Sequence, residues 1–294
     1  MIDQDVTILE REEAVHVSTF ASEIVTCQLG DGTRRRLLLK RGGTHSVPTY
    51  GHRGGVPYEA EIYRSVLASL PASTPSYYAA ESDPATGETS LFIDYIDGAS
   101  RLEFSDPEFI VHAARWIAAF HRLNELRAED LAHVVHRYDL SYYMGWANRT
   151  QLHANGQNFA WLPDVVRGFE ALAEELVQPP LTVIHGEYYP KNILVKDGNI
   201  IPVDWESTAL AAGEIDLVSL SEGWPAQDKK DCEAEYRHER WPTGAPAAFE
   251  RRLAIAEVYL LFRWLGDRPE WAIGEEASLQ FETLRQLGER LGVL

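Results

Sequence analysis

The chain has 294 residues, 45% hydrophobic and 24% charged, which fits a globular protein long enough to bury a sizeable core. Its net charge of −18 argues against a nucleic-acid partner, since phosphate backbones need basic patches. No apolar run approaches the ~18 residues a membrane helix needs, the N-terminus lacks the basic and apolar regions of a signal peptide, and Cys27 and Cys232 show no metal-ligand spacing. The expected compartment is the cytoplasm, with no membrane contact.

Taken in chain order, β-branched and apolar runs predict strands over 14–19, 23–29 and 35–40, with a hairpin turn at Gly30-Asp31-Gly32-Thr33. The turn from Ser18 to Ser22 carries no glycine. The third strand ends in Lys40, which period two puts on the same face as Leu38. A mobile loop is expected between Gly42-Gly43 and Gly54-Gly55, and His45 and His52 within it fit no ligand motif. A helix follows over 56–67. In it Glu59, Ile62, Tyr63, Val66 and Leu70 recur at helical spacing on one inward face, while Glu61 falls outside with Arg64, Ser65 and Ala68. A Glu on an apolar face wants a buried partner, and Lys40 would supply one. Residues 91–96 read as a buried strand running into Asp97-Gly98.

Beyond Gly98 helical periodicity dominates. Ser105-Asp106-Pro107-Glu108 forms a capping box ahead of a helix over 109–123, and further helices are expected over 160–176, 247–265 and 275–291. Between them lies the stretch with the most chemical content. Leu181 to Ile184 reads as a short strand feeding the loop His185-Gly186-Glu187-Tyr188-Tyr189-Pro190-Lys191-Asn192. Two apolar runs, 192–195 and 200–203, flank Lys196-Asp197-Gly198-Asn199, a hairpin that folds Asp204 back beside Asn192. A carboxylate, an Asn five positions on and an Asp beyond a hairpin are what phosphoryl transfer from Mg-ATP requires. The first carboxylate orients and deprotonates the acceptor hydroxyl, and the Asn and the later Asp hold the magnesium. The polar segment from Trp224 to Trp241 reads as an insert over the acceptor site, with Trp146, Trp161, Trp224 and Trp241 as candidate lining residues and core positions left open for them.

On these residues the central segment resembles the catalytic and metal-binding region of the aminoglycoside phosphotransferase-like kinases. That family also includes kinases of choline, homoserine, methylthioribose and fructosamine-type substrates. Its pattern is His-Gly-Asp, four residues, Asn, then a hairpin and Asp. Here Glu187 stands where the family has its catalytic Asp, one methylene longer.

The resemblance covers nearly the whole chain and implies an α+β, bilobal protein-kinase-like fold. A small N-terminal antiparallel β lobe with one helix, residues 1–97, would bind the nucleotide. A larger, mostly helical lobe, residues 98–294, would carry the catalytic and acceptor-binding groups. ATP and Mg²⁺ are the implied cofactors, with Lys40 on the phosphates, Glu59 positioning Lys40, and the Asp94 carbonyl and Ile96 amide on adenine. Glu187 would be the catalytic base, and Asn192 and Asp204 the metal ligands. His185 would support the loop, and Asp216 would brace it through backbone amides. Glu206 is a candidate for a second metal, with a surface role left open, and Lys191 for charge on the transferring phosphate, with simple pairing to a nearby carboxylate left open; Tyr188 and Tyr189 lie in the same loop.

The expected activity is therefore transfer of the γ-phosphate to a hydroxyl of a small molecule. Residues 1–97 carry 8 basic and 14 acidic side chains and the remainder 19 and 31. That acidity favours cationic acceptors such as amino sugars, with plain solubility as the other reading. The alternative function is a pseudokinase or nucleotide-sensing binding protein, motivated by Glu187 and the glycine-free turn. A protein kinase is disfavoured, because Asp-Phe-Gly, Ala-Pro-Glu and a long activation segment are missing.

Overall fold

A computed structural model describes residues 7–14, 20–44, 52–154 and 159–294. Strands β1 (Thr7–Glu13), β2 (Ala21–Gln28) and β3 (Arg34–Gly42) lead to helix α1 (Gly55–Ile62), which continues as a π-helix over Tyr63–Leu67. Then come β4 (Tyr77–Ser82), β5 (Thr89–Asp94), the two-residue β6 (Ser100–Arg101), α2 (Phe109–Glu125), α3 (Ala128–Leu131), β7 (His136–Arg137), α4 (Leu140–His153) and α5 (Leu162–Leu176). Strand β8 (Thr182–Ile184), the hairpin of β9 (Ile193–Lys196) and β10 (Asn199–Pro202), and β11 (Ala209–Ala211) precede α6 (Glu214–Ser221), α7 (Ala226–Arg240), α8 (Phe249–Asp267) and α9 (Glu275–Leu291). The class is α+β, as expected. Among the described residues no helix is long and apolar enough to cross a membrane.

The chain forms two compact units, each built from two stretches: Met1–Phe109 with Pro190–Thr208, and Ile110–Tyr189 with Ala209–Leu294. This grouping differs from a division at residue 97, and the reason is strand pairing. β6 pairs with β9 at Ser100↔Val195 and Arg101↔Leu194, which draws the stretch after Gly98 and the hairpin into one unit.

The first unit holds a five-stranded antiparallel sheet in the order β1-β2-β3-β5-β4. The β2–β3 turn closes as the sequence suggests, with the Asp31 carboxylate accepting the Thr33 N–H at 2.8 Å. The expected first strand over 14–19 falls, apart from Ala14, outside the described residues. The strand that is described, β1, lies earlier and is exposed along its whole length. Its charged run pairs with β2 through the backbone ladder and an exposed ion pair of Arg11 with Glu23, so no apolar alternation announces it. In β3, Lys40 sits opposite Leu91 of β5 and Ser22 of β2. In the β9–β10 hairpin, Asp197 and Gly198 both take positive φ, +50° and +77°, the geometry a two-residue turn needs to follow strand twist.

Residues 45–51 of the glycine-rich stretch lie outside the described residues, but its two ends meet. Gly55 opens α1 at φ +74°, and a Cβ there would stand 2.4 Å from the Gly43 carbonyl oxygen. The close approach fixes where α1 starts, and with it where Glu59 points.

The second unit packs α4, α5, α8 and α9 around Tyr143, Trp146, Phe169, Phe262 and Leu284. A small sheet, β7-β11-β8, lies beside them, with Ala209↔Ile184 and Ala211↔Thr182 paired. Arg252 of α8 donates to the carbonyls of Glu175, Gln178 and Pro180 and to Glu214, so it ties down the run from α5 into β8. The proposed capping box ahead of α2 is replaced by another arrangement: the Ser105 hydroxyl donates back to the Arg101 carbonyl.

A substitution separates the two demands on Gly55. Gly55→Ala adds both the left-handed strain, about 1–2 kcal/mol, and a clash with backbone, whereas Gly198→Ala, with φ +77° and nothing within 4 Å of its Cβ, adds only the strain. Urea denaturation should show Gly55→Ala losing clearly more stability than Gly198→Ala. Equal losses would mean that the approach of Gly43 to Gly55 carries no weight.

Candidate active site

Two groups of polar side chains coincide with the expected site residues, one in each unit. In the first, Lys40 is only 4% exposed. Its ammonium donates to Glu59 Oε2 at 2.6 Å and to Asp204 Oδ1 at 2.7 Å. The other Glu59 oxygen accepts the Trp205 N–H at 3.2 Å. Glu59 therefore links the end of β3 to the residue after Asp204. Glu61 instead pairs with Arg64 and Ser65 on the outer face of its helix.

The hairpin brings the two expected metal ligands to one end. The Val203 N–H donates to the Asn192 carbonyl at 2.9 Å, closing the hairpin base. Asp204 follows at φ +69°, a left-handed conformation that few residues besides glycine, asparagine and aspartate adopt. Glu206 is buried, and its carboxylate lies 3.9 Å from Arg53, while its carbonyl accepts the Gly54 N–H at 2.8 Å. The surface role left open for Glu206 is thereby excluded.

Burial alone would pull the Lys40 ammonium down, but Glu59, Asp204 and Glu206 outweigh it and raise it well above its ordinary range. Burial pushes the Glu59 carboxyl up against the opposing pull of Lys40. Two carboxylates, Glu59 and Asp204, share the Lys40 ammonium, and Glu206 lies beside Arg53. Among the described residues no group of three His, Cys, Asp or Glu is spaced to hold a metal. Asn192 and Asp204 nevertheless fit Mg²⁺: both offer hard oxygen, and this ion commonly takes one or two protein ligands and completes its shell with phosphates and water.

Asp94 and Ile96 lie at the exit of β5. The Asp94 carboxylate accepts from the Ser76 N–H at 3.1 Å and the Tyr78 hydroxyl at 2.7 Å. Burial and this carboxylate push the Tyr78 phenol up to about 12. The side chain thus braces β4, which leaves the backbone for any role in binding.

In the second unit, β8 delivers the loop. Gly186 takes φ +83°, turning the chain so that two successive N–H groups meet one carboxylate. Asp216 of α6 accepts the His185 N–H at 2.6 Å and the Gly186 N–H at 2.9 Å. The pairing of β8 with β11 puts Asp216 there, since α6 starts just after β11. Behind Asp216 stands a buried chain. His121 Nε2 lies 3.1 Å from Asp216 Oδ2, its Nδ1 lies 2.8 Å from the Tyr236 hydroxyl, and that oxygen accepts from Arg240 at 2.6 Å. The donors fit one assignment: Arg240 to Tyr236, Tyr236 to Nδ1, and Nε2–H to Asp216. That leaves His121 neutral, and burial lowers its pKa in the same sense.

Glu187 is 4% exposed and paired with Arg263 of α8, whose Nη1 donates to Glu187 Oε1 at 3.1 Å. The second Arg263 amine donates to the Tyr189 hydroxyl. Tyr188 is a core residue: it is fully buried, stacks near Trp116 and donates to the Ala113 carbonyl at 3.0 Å. Lys191 is exposed. The segment from Trp224 to Trp241 is the helix α7, whose inner face is Cys232, Tyr236 and Arg240, and Trp146 lies in the core.

Arg263, Arg240, Tyr236 and His121 escaped the sequence reading. His121 and Arg263 did carry a signal. His121 follows Ile110, Ala113, Ala114 and Ile117 at helical spacing, and Arg263 sits between Leu260-Leu261-Phe262 and Trp264-Leu265, so each is a polar group among apolar residues that demands a partner.

A family model described as the phosphotransferase enzyme family, APH, matches residues 21–249. No curated protein matches the sequence. Among solved structures, the choline kinase LicA from Streptococcus pneumoniae superposes with a TM-score of 0.62 at 15% identity, covering 98% of this chain and 94% of that one. LicA in complex with AMP gives 0.55 at 14%, covering 99% and 93%. The macrolide 2′-phosphotransferase MphH from Brachybacterium faecium gives 0.61 at 16%, covering 96% and 94%. A GDP complex of a mutant aminoglycoside 2′-phosphotransferase-IIIa gives 0.62 at 12%, covering 97% and 93%. At such identities the likeness is one of fold.

The lowered pKa of His121 sets a sign for stability against pH. A folded-state pKa below the ordinary 6.5 means the unfolded chain binds more protons below that pH, so this contribution is complete above 6.5 and is lost as the pH falls through it. Urea midpoints should fall between pH 7.5 and 5.5. His121→Gln should flatten that part of the slope while costing about 1–3 kcal/mol at pH 7.5, because Asp216 loses a donor. An unchanged slope in the variant would mean that His121 is not held neutral.

Proposed function

The chain belongs to the phosphotransferase enzyme family, and we propose that it transfers the γ-phosphate of Mg-ATP to a hydroxyl of a small cationic molecule. The observation that carries this reading is the Lys40–Glu59–Asp204 cluster, with contacts of 2.6 and 2.7 Å, next to a hard-oxygen pair in Asn192 and Asp204. A buried ammonium held between carboxylates is poised to exchange one of them for phosphate oxygens. Bound AMP and GDP in structural neighbours support nucleotide use.

In this reading residues 1–97 serve the nucleotide, and residues 98–294 supply the loop, the metal ligands and the acceptor contacts. Lys40 meets the α- and β-phosphates and Glu59 keeps it in place. The Asp94 carbonyl and Ile96 amide meet adenine. Asn192 and Asp204 would hold Mg²⁺, which supplies neutralising charge on the phosphates. Glu187 accepts the acceptor's hydroxyl proton in a hydrogen bond. As the acceptor oxygen bonds to the γ-phosphorus, the bond from that phosphorus to the bridging oxygen breaks and ADP leaves. The hydroxyl proton passes to the Glu187 carboxylate and then to water. Such general-base assistance is typically worth ~100- to 10,000-fold.

The acceptor class rests on charge. A net charge of −18 favours cations over anions as acceptors. Choline, an aminoglycoside and a macrolide, the substrates named for the structural neighbours, form the first panel, since all carry a cationic nitrogen and a hydroxyl. Dependence on Mg-ATP sets the enzyme where that nucleotide is made, the cytoplasm.

Calorimetric titration with ATP, with and without Mg²⁺, tests the nucleotide half without knowledge of the acceptor. Wild type should bind more tightly with Mg²⁺, and Asp204→Ala, shown to be folded, should lose that gain. Folded wild-type protein that binds neither ATP nor GTP ends the phosphotransferase reading.

A further inference from the structure

Position 187 holds a glutamate in a loop whose family pattern has an aspartate. The extra methylene adds a rotatable bond, so the loop backbone no longer fixes where the carboxylate lies. Something else must do so if the group is to meet a hydroxyl within hydrogen-bond distance. The structure offers a device for this in Arg263.

Arg263 projects from the C-terminal part of α8, a helix packed into the core of its unit. Its guanidinium is a planar fork with N–H groups in fixed directions. One arm donates to Glu187 Oε1 at 3.1 Å and the other to the Tyr189 hydroxyl. The guanidinium carbon also lies 5.7 Å from the centre of the Tyr189 ring. Between these two residues the loop is tightly turned, with the Tyr189 N–H donating to the Glu187 carbonyl at 2.7 Å. The fork therefore clamps both side chains of one short turn. Glu187 and Arg263 side chains are 5% and 8% exposed, so water competes little with the contact. A carboxylate accepts at about four lone-pair positions, so the Arg263 contact does not by itself exhaust it.

We propose that Arg263 is the positioning residue of Glu187: it holds the longer carboxylate where an acceptor hydroxyl meets it, and so makes Glu rather than Asp the side chain that works at this position. The proposal rests on the phosphotransfer reading, in which Glu187 meets the acceptor. Arg263 itself touches no reacting atom. Its removal should therefore act on turnover and leave nucleotide binding alone, since Lys40, Asn192 and Asp204 are untouched. The same clamp predicts that Asp at 187 is a poor substitute, because its carboxylate falls short of Arg263.

The test compares wild type, Arg263→Met, Arg263→Lys, Glu187→Asp, Glu187→Gln and the double variant Glu187→Gln/Arg263→Met. ADP release is measured with Mg-ATP and either water or choline, an aminoglycoside or a macrolide as acceptor. Misplacement of a catalytic group by ~1 Å can cost ~100-fold. Arg263→Met and Glu187→Asp should each lower kcat by about 10- to 100-fold, with KM for Mg-ATP unchanged. Arg263→Lys should recover part of the loss. The double variant should turn over no more slowly than Glu187→Gln alone, because a residue that acts through Glu187 has nothing to position once that charge is gone. Wild-type kcat in folded Arg263→Met, losses that multiply in the double variant, or a loss confined to KM for Mg-ATP would each overturn the proposal. Should Arg263→Met fail to fold, Arg263→Lys with wild-type kcat overturns it equally. Failure of the parent reading looks different: there Glu187→Gln itself turns over at the wild-type rate.

Discussion

A charge taken out of water must be met by an opposite one, and this constraint shapes the molecule. Four cationic side chains stand out as buried among the described residues: Lys40, Arg240, Arg252 and Arg263. Each has a carboxylate within 3.2 Å: Glu59 and Asp204 for Lys40, Glu125 for Arg240, Glu214 for Arg252 and Glu187 for Arg263. Desolvation costs several kcal/mol per ion, so such pairs add little net stability, yet losing one partner costs about 3–5 kcal/mol. Their effect is to fix register. A strand or helix that slid by one residue would strand an unpaired charge.

Helix α8 shows how far this reaches. Arg252 and Arg263 are eleven positions apart, three helical turns, and so lie on one face. The first holds the carbonyls of Glu175, Gln178 and Pro180 just ahead of β8, and the second holds Glu187 and Tyr189 just after it. One rigid element thereby sets both ends of the segment that carries His185 to Glu187. Asp216 sets its middle through two backbone N–H groups. The loop is specified by contacts from α6 and α8, and its own sequence has little freedom left to exercise.

What was legible in the sequence follows from range. Lys40 and Glu59 could be paired on paper because each rests on a short period, two along β3 and 3.6 along α1, and each period exposes a polar group on an apolar side. The hairpin before Asp204 was legible because Asp197-Gly198 needs positive φ, a demand local to two residues. Strand β1 was not, because its pairing uses the backbone ladder and an exposed ion pair, and its side chains face water. The role of α7 was not, because Tyr236 and Arg240 read as ordinary members of a polar helix until His121, 115 residues away from Tyr236 in sequence, is brought to them. Arg263 lies 76 residues from Glu187. Its apolar neighbours declared that it needed a partner, but nothing local could say which.

The same pairing rule bears on what each group of side chains attracts. A net charge of −18 describes the surface, where most carboxylates are solvated, and it acts over about a Debye length, ~8 Å at physiological salt. Inside, the balance differs from place to place. Around Lys40, two carboxylates, Glu59 and Asp204, share one ammonium. Around Glu187 the charge is matched by Arg263. A matched carboxylate exerts little pull on a distant ammonium, yet it still accepts a hydrogen bond from a hydroxyl at contact range. Under the proposed function, selection for a cationic acceptor would therefore come from carboxylates other than Glu187, and charge and chemistry at the acceptor would be divided between different residues.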